Sequence, residues 1–167
     1  MLKMKVQAVG INMSNQAPVV LLQEEEGEGV LPIVVGPAEA KAITIAREKI
    51  EIPRPISYDL MKNIFGELDI TPERVIISDL RENTFYARLE IVQDGEKYSI
   101  DSRPSDAINL ALRTDTPIYL AEEVAHRALV RERPEEDEEK VSEEVENERE
   151  RFRNFVDNVF DNVNPDL

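Results

Sequence analysis

Apolar and polar residues alternate along Lys3–Met13, and after the turn-forming pair Ser14-Asn15 comes an unbroken apolar run, Ala17–Leu22. Period-two alternation marks a half-buried strand, and a continuous apolar run marks a strand covered on both faces. Val30–Val35 supplies a third strand. The EEEGEG stretch from Glu24 to Gly29 reads as the exposed tip of the hairpin between the second and third strands. Its glutamates lack the alternating ligand order of an EF-hand loop. Beyond Gly36 the period lengthens, with Ala40, Ile43, Ala46 and Ile50 on one helical side. Pro37 suits the first helical position and Glu39 the first turn, while Pro53 and Pro55 end the helix. Ser57 is placed to cap a second helix, Tyr58 to Leu68, whose expected buried stripe is Leu60, Met61, Ile64, Phe65 and Leu68.

Three strands follow in quick succession: Arg74–Arg81, Thr84–Gln93 and Glu96–Asp101. Asp94-Gly95 is a strong signal for a two-residue hairpin turn. Counting outward from it sets Gln93 against Glu96 and Leu89 against Ile100 on the core side. On the other face Arg88 meets Asp101, and Tyr86 meets Arg103. A turn at Glu82-Asn83 sets Leu80 opposite Phe85 and Asp79 opposite Tyr86. One sheet face is therefore expected to gather Asp79, Tyr86, Arg88, Asp101 and Arg103. A Pro-initiated helix from Pro104 to Arg113 turns Ala107, Ile108, Ala111 and Leu112 inward. Its PSDA start repeats the PAEA start at Pro37, each straight after a strand. A short strand, Pro117–Leu120, and a helix, Glu122–Leu129, complete the domain; the latter carries His126, the single histidine and a surface position by its setting.

These elements predict an α+β (mixed α/β) domain over residues 1–130, a largely antiparallel sheet packed by helices. Residues 131–167 are expected to form an acidic, Pro-containing linker and a C-terminal amphipathic helix, with Val141, Val145, Phe152, Phe155 or Val156, Val159 and Val163 on one stripe. That stripe needs cover, from its own domain or from a second copy, so a homo-oligomer, at its simplest a dimer, is expected. No apolar run reaches the roughly 18–20 residues of a membrane span. The opening MLKMKVQAVGI reads as a strand and not as a signal peptide. The absence of cysteine removes disulfides and thiolate metal sites and agrees with an expected cytoplasmic location.

The net charge of −15 argues against a large basic footprint for nucleic acid. The distribution softens this: residues 131–167 carry 14 acids and 6 bases, so about half of the excess lies outside the domain. Arginine outnumbers lysine 13 to 7, which suits bidentate contacts to phosphate or carboxylate. The densest knot of charge is YSIDSRPSDAINLALR, Tyr98–Arg113, where a strand runs into a Pro-initiated helix. A helix start presents free N–H groups and a positive dipole end, a setting for anions.

The segments LPIVVGPAEAKAI, RPISYDLM, RVIISDLRENTFYARLEI and IDSRPSDAINLALRTDTPIYL resemble, in order and spacing, the bifunctional nuclease domain family over about residues 3–130. The resemblance implies a compact α/β domain acting on RNA and DNA. Phosphodiester hydrolysis needs charge stabilisation on the phosphate and an activated water, usually with Mg²⁺ or Mn²⁺ held by carboxylates. Asp101 and Asp106 are candidates to share a cation across the strand–helix corner, with Asp79 completing the ligand set. Arg88 and Arg103 would clamp the phosphate. Tyr86, Ser105 and Asp59 are candidate substrate contacts. Where family members often carry a histidine after the helix-capping Ser or Thr, this chain has Tyr58, which removes a general base there. No second histidine, cysteine, phosphate loop or dinucleotide fingerprint offers another chemistry. The alternative is a non-enzymatic binding or regulatory module, in which Arg88 with Asp101 is a cross-strand ion pair and Asp106 only a first-turn helix acid.

Overall fold

A computed structural model of the chain describes residues 1–131. The linker and amphipathic helix expected beyond residue 131 lie outside the described residues. The strands are β1 (Leu2–Ile11), β2 (Pro18–Glu24), β3 (Val30–Val34), β4 (Thr71–Arg81), β5 (Thr84–Gln93), β6 (Glu96–Ser102) and β7 (Ile118–Leu120). They form one mixed sheet in the order β3-β2-β1-β7-β4-β5-β6. Every pairing is antiparallel except β4 with β7, so the expected α+β class and largely antiparallel sheet are found. The helices are α1 (Pro37–Arg47), α2 (Ser57–Glu67), α3 (Pro104–Thr114) and α4 (Glu122–Ala128).

Two tight turns fix the register of the β4–β5–β6 meander. Glu82 and Asn83, then Asp94 and Gly95, all have positive φ, the mark of type I′ turns whose twist matches the flanking strands. The ladder runs as counted, with Asp79 opposite Tyr86, Arg88 opposite Asp101 and Leu89 opposite Ile100. Alternation then places Val75, Ile77, Ala87, Leu89 and Ile91 on the face covered by helices. Ala107, Ile108 and Ala111 of α3 and Ile43 of α1 complete that core.

Two expected burial patterns fail. The α2 stripe is not a core stripe: Leu60, Met61, Ile64 and Leu68 are exposed, and only Phe65 packs on the core. Ile100 faces the helix side as expected but is 45% exposed, because β6 lies at the sheet edge beyond the cover of α3. The first helix also ends at Arg47, short of the prolines, where Lys49 turns into the left-handed region and leaves Ile50 exposed. His126 is exposed on α4.

With so little apolar anchorage, α2 is held by an ion pair between a buried guanidinium and a half-buried carboxylate. The Arg113 side chain is 5% exposed and donates from Nε to Asp59 Oδ1 at 2.6 Å. Its other nitrogens donate to the Asn109 side chain and carbonyl and to the Ala42 carbonyl of α1. One guanidinium thus joins α1, α2 and α3 with its hydrogen-bonding capacity used inward. Removing it leaves the Asn109 side-chain oxygen and the Ala42 carbonyl without this donor and takes one of two hydrogen bonds from the half-buried Asp59, so Arg113→Met should lower the free energy of urea unfolding by about 2 kcal/mol or more. A loss under about 1 kcal/mol, within the range of an exposed pair, would contradict this role.

Candidate functional site

Two strand-to-helix corners meet at one end of the helix layer. At the first, β3 leads through Gly36 into α1 with Pro37 leading the helix; at the second, β6 leads through Arg103 into α3 with Pro104 in the same place. Glu39 and Asp106 each lie two residues beyond the proline, at matching positions of the repeated PAEA and PSDA starts. Arg103 bridges them. Its Nη2 lies 3.0 Å from Glu39 Oε1 and 2.9 Å from Asp106 Oδ1, and its Nε donates to Asp106 Oδ2 at 2.7 Å. The Tyr58 hydroxyl, from the first turn of α2, donates to Asp106 Oδ1 at 2.7 Å. Gly36 makes room for this arrangement, since a Cβ there would overlap the Glu39 carboxylate.

Burial pushes the Tyr58 phenol well above its ordinary value of 10, and its hydrogen bond to the Asp106 carboxylate adds to the rise. For Asp106 burial acts upward, but the hydrogen bonds from Arg103 and Tyr58 outweigh it and hold the carboxyl below its usual 3.8. Asp59 is lowered in the same way: burial raises it, and Arg113 and the Ile56 N–H more than compensate. At neutral pH the site is therefore two carboxylates and a neutral phenol around one exposed guanidinium. A separate cleft of about 350 Å³ lies at the other end of α1 and α3, lined by Lys49, Ile50, Ile52 and Pro55, and reaches Asp59 and Arg113 but not Arg103, Glu39 or Asp106.

The other sequence-derived candidates lie elsewhere. Asp79, Tyr86, Arg88 and Asp101 share the helix-free face of β4–β5–β6, as the register requires. There Asp79 accepts from Arg81 at 2.6 Å and from the Leu80 N–H, and both bonds lower its pKa. The Arg81 guanidinium sits 5.1 Å over the Tyr86 ring. Arg88 and Asp101 face each other across the ladder, and among the described residues neither closes an ion pair. Arg103 leaves this face, because pairing stops at Ala87 with Ser102 and the next residue turns to cap α3. Asp101 points away from the helices whereas Asp106 stands in the helix layer, so the sheet separates them. Ser105 is buried in the first turn of α3, where its carbonyl accepts from Asn109. Glu39 and Tyr58 were not among the candidate groups. The repeated proline-led starts were the available signal for Glu39.

The sheet and its proline-led corners define a small α+β domain that offers an arginine and two carboxylates at paired helix starts. Comparison with known proteins gives that domain its family. A family model described as the bifunctional nuclease domain matches residues 20–133. An uncharacterised protein of Mycobacterium tuberculosis strain H37Rv is 38% identical over 137 residues, 81% of this chain and 82% of that protein. Bifunctional nuclease 2 of Arabidopsis thaliana is 31% identical over 123 residues, covering 70% of this chain and 37% of the plant protein. Bifunctional nuclease 1 of Oryza sativa subsp. japonica is 30% identical over 122 residues, again 37% of its length. The chain belongs to the bifunctional nuclease domain family, and it spans little more than a third of these plant relatives.

The titration behaviour of the site is directly measurable. Tyr58 should ionise well above the ordinary phenol value of 10, so Tyr58→Phe should remove a late step of phenolate absorbance. Loss of an earlier step instead would show that the hydroxyl is solvated. A lowered Asp106 pKa means stability present at neutral pH and lost as pH falls below about 3.8. Asp106→Asn should flatten the acid limb of the unfolding curve.

Proposed function

We propose that this chain hydrolyses phosphodiester bonds in RNA or DNA at the corner formed by α1, α2 and α3. The observation that carries this reading is Arg103, 65% exposed, spanning Glu39 and Asp106 at the starts of two helices. An incoming phosphate competes with those carboxylates for the guanidinium and meets the free N–H groups of the helix starts. Glu39, released from Arg103, takes a proton from water as the water oxygen bonds to phosphorus. The bond from phosphorus to the leaving sugar oxygen breaks, and that oxygen takes the Tyr58 proton, which solvent replaces. The phenol is protonated at neutral pH, and its hydrogen bond to Asp106 holds the hydroxyl at the corner. Family membership and the likeness to the plant bifunctional nucleases support the same class of reaction.

The expected metal set of Asp79, Asp101 and Asp106 does not fit one ion. Asp79 lies two strands from Asp101, about 10 Å in ladder spacing, Asp106 lies on the opposite face, and no group of three His, Cys, Asp or Glu converges among the described residues. Asp106 is the carboxylate that would hold Mg²⁺ or Mn²⁺, leaving Glu39 as the base, since Mg²⁺ sites often use only one or two carboxylates beside substrate phosphate. When bound, the ion would neutralise charge on the phosphoryl group. A second reading is a module that binds without cleaving, favoured by the pairing of Asp59, Asp79 and Asp106 with Arg113, Arg81 and Arg103.

Purified full-length protein, with and without Mg²⁺ or Mn²⁺, should degrade single-stranded RNA or DNA. The Glu39→Gln, Asp106→Asn double variant should lose about 100-fold or more in kcat/KM while remaining folded. Equal activity in that variant would remove these residues from the chemistry, and oligonucleotide binding without cleavage by the wild type would favour the binding module.

A further inference from the structure

The structure leaves a strand edge and an apolar strip side by side. β6 is a terminal strand of the sheet, and its residues are almost all exposed. On its helix side Tyr98 and Ile100 are 43% and 45% exposed. α2 runs alongside: Tyr58 at its start is bonded to Asp106 just past the end of β6, and Leu68 at its close accepts from Gln93, beside the start of β6. Its exposed Leu60, Met61 and Ile64 therefore border the same edge. Soluble sheets normally guard such an edge by shortening, charging or covering it.

We infer that the occupant is a second copy of this chain, joined by antiparallel pairing of β6 with β6 about a two-fold axis at Ser99. The strand is self-complementary in that register. Gln93 and Glu96 flank the two-residue turn and so form its hydrogen-bonded pair, which turns the backbone groups of Glu96, Tyr98 and Ile100 toward β5. Lys97, Ser99 and Asp101 then present their N–H and C=O groups outward. Centring the axis on Ser99 matches outward residues with outward residues. It sets Lys97 opposite Asp101 of the second copy and Tyr98 opposite Ile100 of the second copy, with like faces aligned. Shifting the centre by two residues forfeits the opposite-charge pair. Lys97 now binds Glu73 at 2.8 Å, and its ammonium has donors to spare. Asp101, with no ion pair among the described residues, gains a partner. The two α2 stripes would flank the seam on the same side of a continuous fourteen-stranded sheet, twice the seven of one chain.

The chain has no cysteine, so one introduced thiol reports the axis. Ser99→Cys in the full chain should form an intermolecular disulfide on mild oxidation, and Ser14→Cys, in the β1–β2 loop, should not. Sedimentation should give twice the chain mass. Asp101→Lys should raise the dimer dissociation constant about tenfold or more through like charges across the seam, and adding Lys97→Asp should restore association. Circular dichroism verifies that each variant is folded. A monomeric wild type, as expected if the chain's own C-terminal segment covers the strip, overturns the proposal. So does a dimer in which Ser99→Cys fails to cross-link, or one indifferent to Asp101→Lys.

Discussion

The helix layer depends on the Arg113 guanidinium. α2 buries almost no apolar surface, so hydrophobic packing alone does not determine where it sits. Arg113 supplies the missing constraint by holding Asp59 while its other nitrogens engage α3 and α1. Tyr58 is the neighbour of Asp59, and its ring lies against the same guanidinium, 5.4 Å from centroid to Cζ. Fixing Asp59 therefore delivers the Tyr58 hydroxyl to Asp106. An ion pair made by a buried arginine positions a polar contact at the helix corner, which links the fold to the candidate site.

The legible part of the fold is the part written in local chemistry. Asp94-Gly95 and the alternation of Thr84–Gln93 specify the meander, and the observed ladder follows by counting. The proline-led helix starts were equally plain. Helical periodicity in α2 correctly marked one apolar side but carried no information on what covers it. Neighbouring elements decide burial, and here they leave the stripe open.

The site was legible in part for a related reason. Asp106 and Arg103 are close in sequence at a strand–helix junction, and the structure joins them by two hydrogen bonds. The pairing of Asp101 with Asp106 failed because a strand sends alternate side chains to opposite faces, while the helix it leads into occupies only one of them. Glu39 is 64 residues before Arg103 in the chain, and only the packing of α1 against α3 brings it near. The similarity of PAEA to PSDA takes on structural meaning once both carboxylates are seen on one arginine. Among the described residues, exposed arginines stand beside carboxylates both at the helix corner, around Arg103, and on the open sheet, around Arg81.

Under the proposed function, nucleic acid meets the Arg103 corner and not the open sheet, and the arginine Nε–H resonances test this. Full-length protein would be titrated with a short phosphorothioate oligonucleotide that resists cleavage, with each resonance assigned by substitution. The account predicts that the Arg103 signal shifts with saturation while the buried Arg113 signal stays within the corner's small secondary changes. A response confined to Arg81 and Arg88, with Arg103 unmoved, would place binding on the open sheet and contradict it.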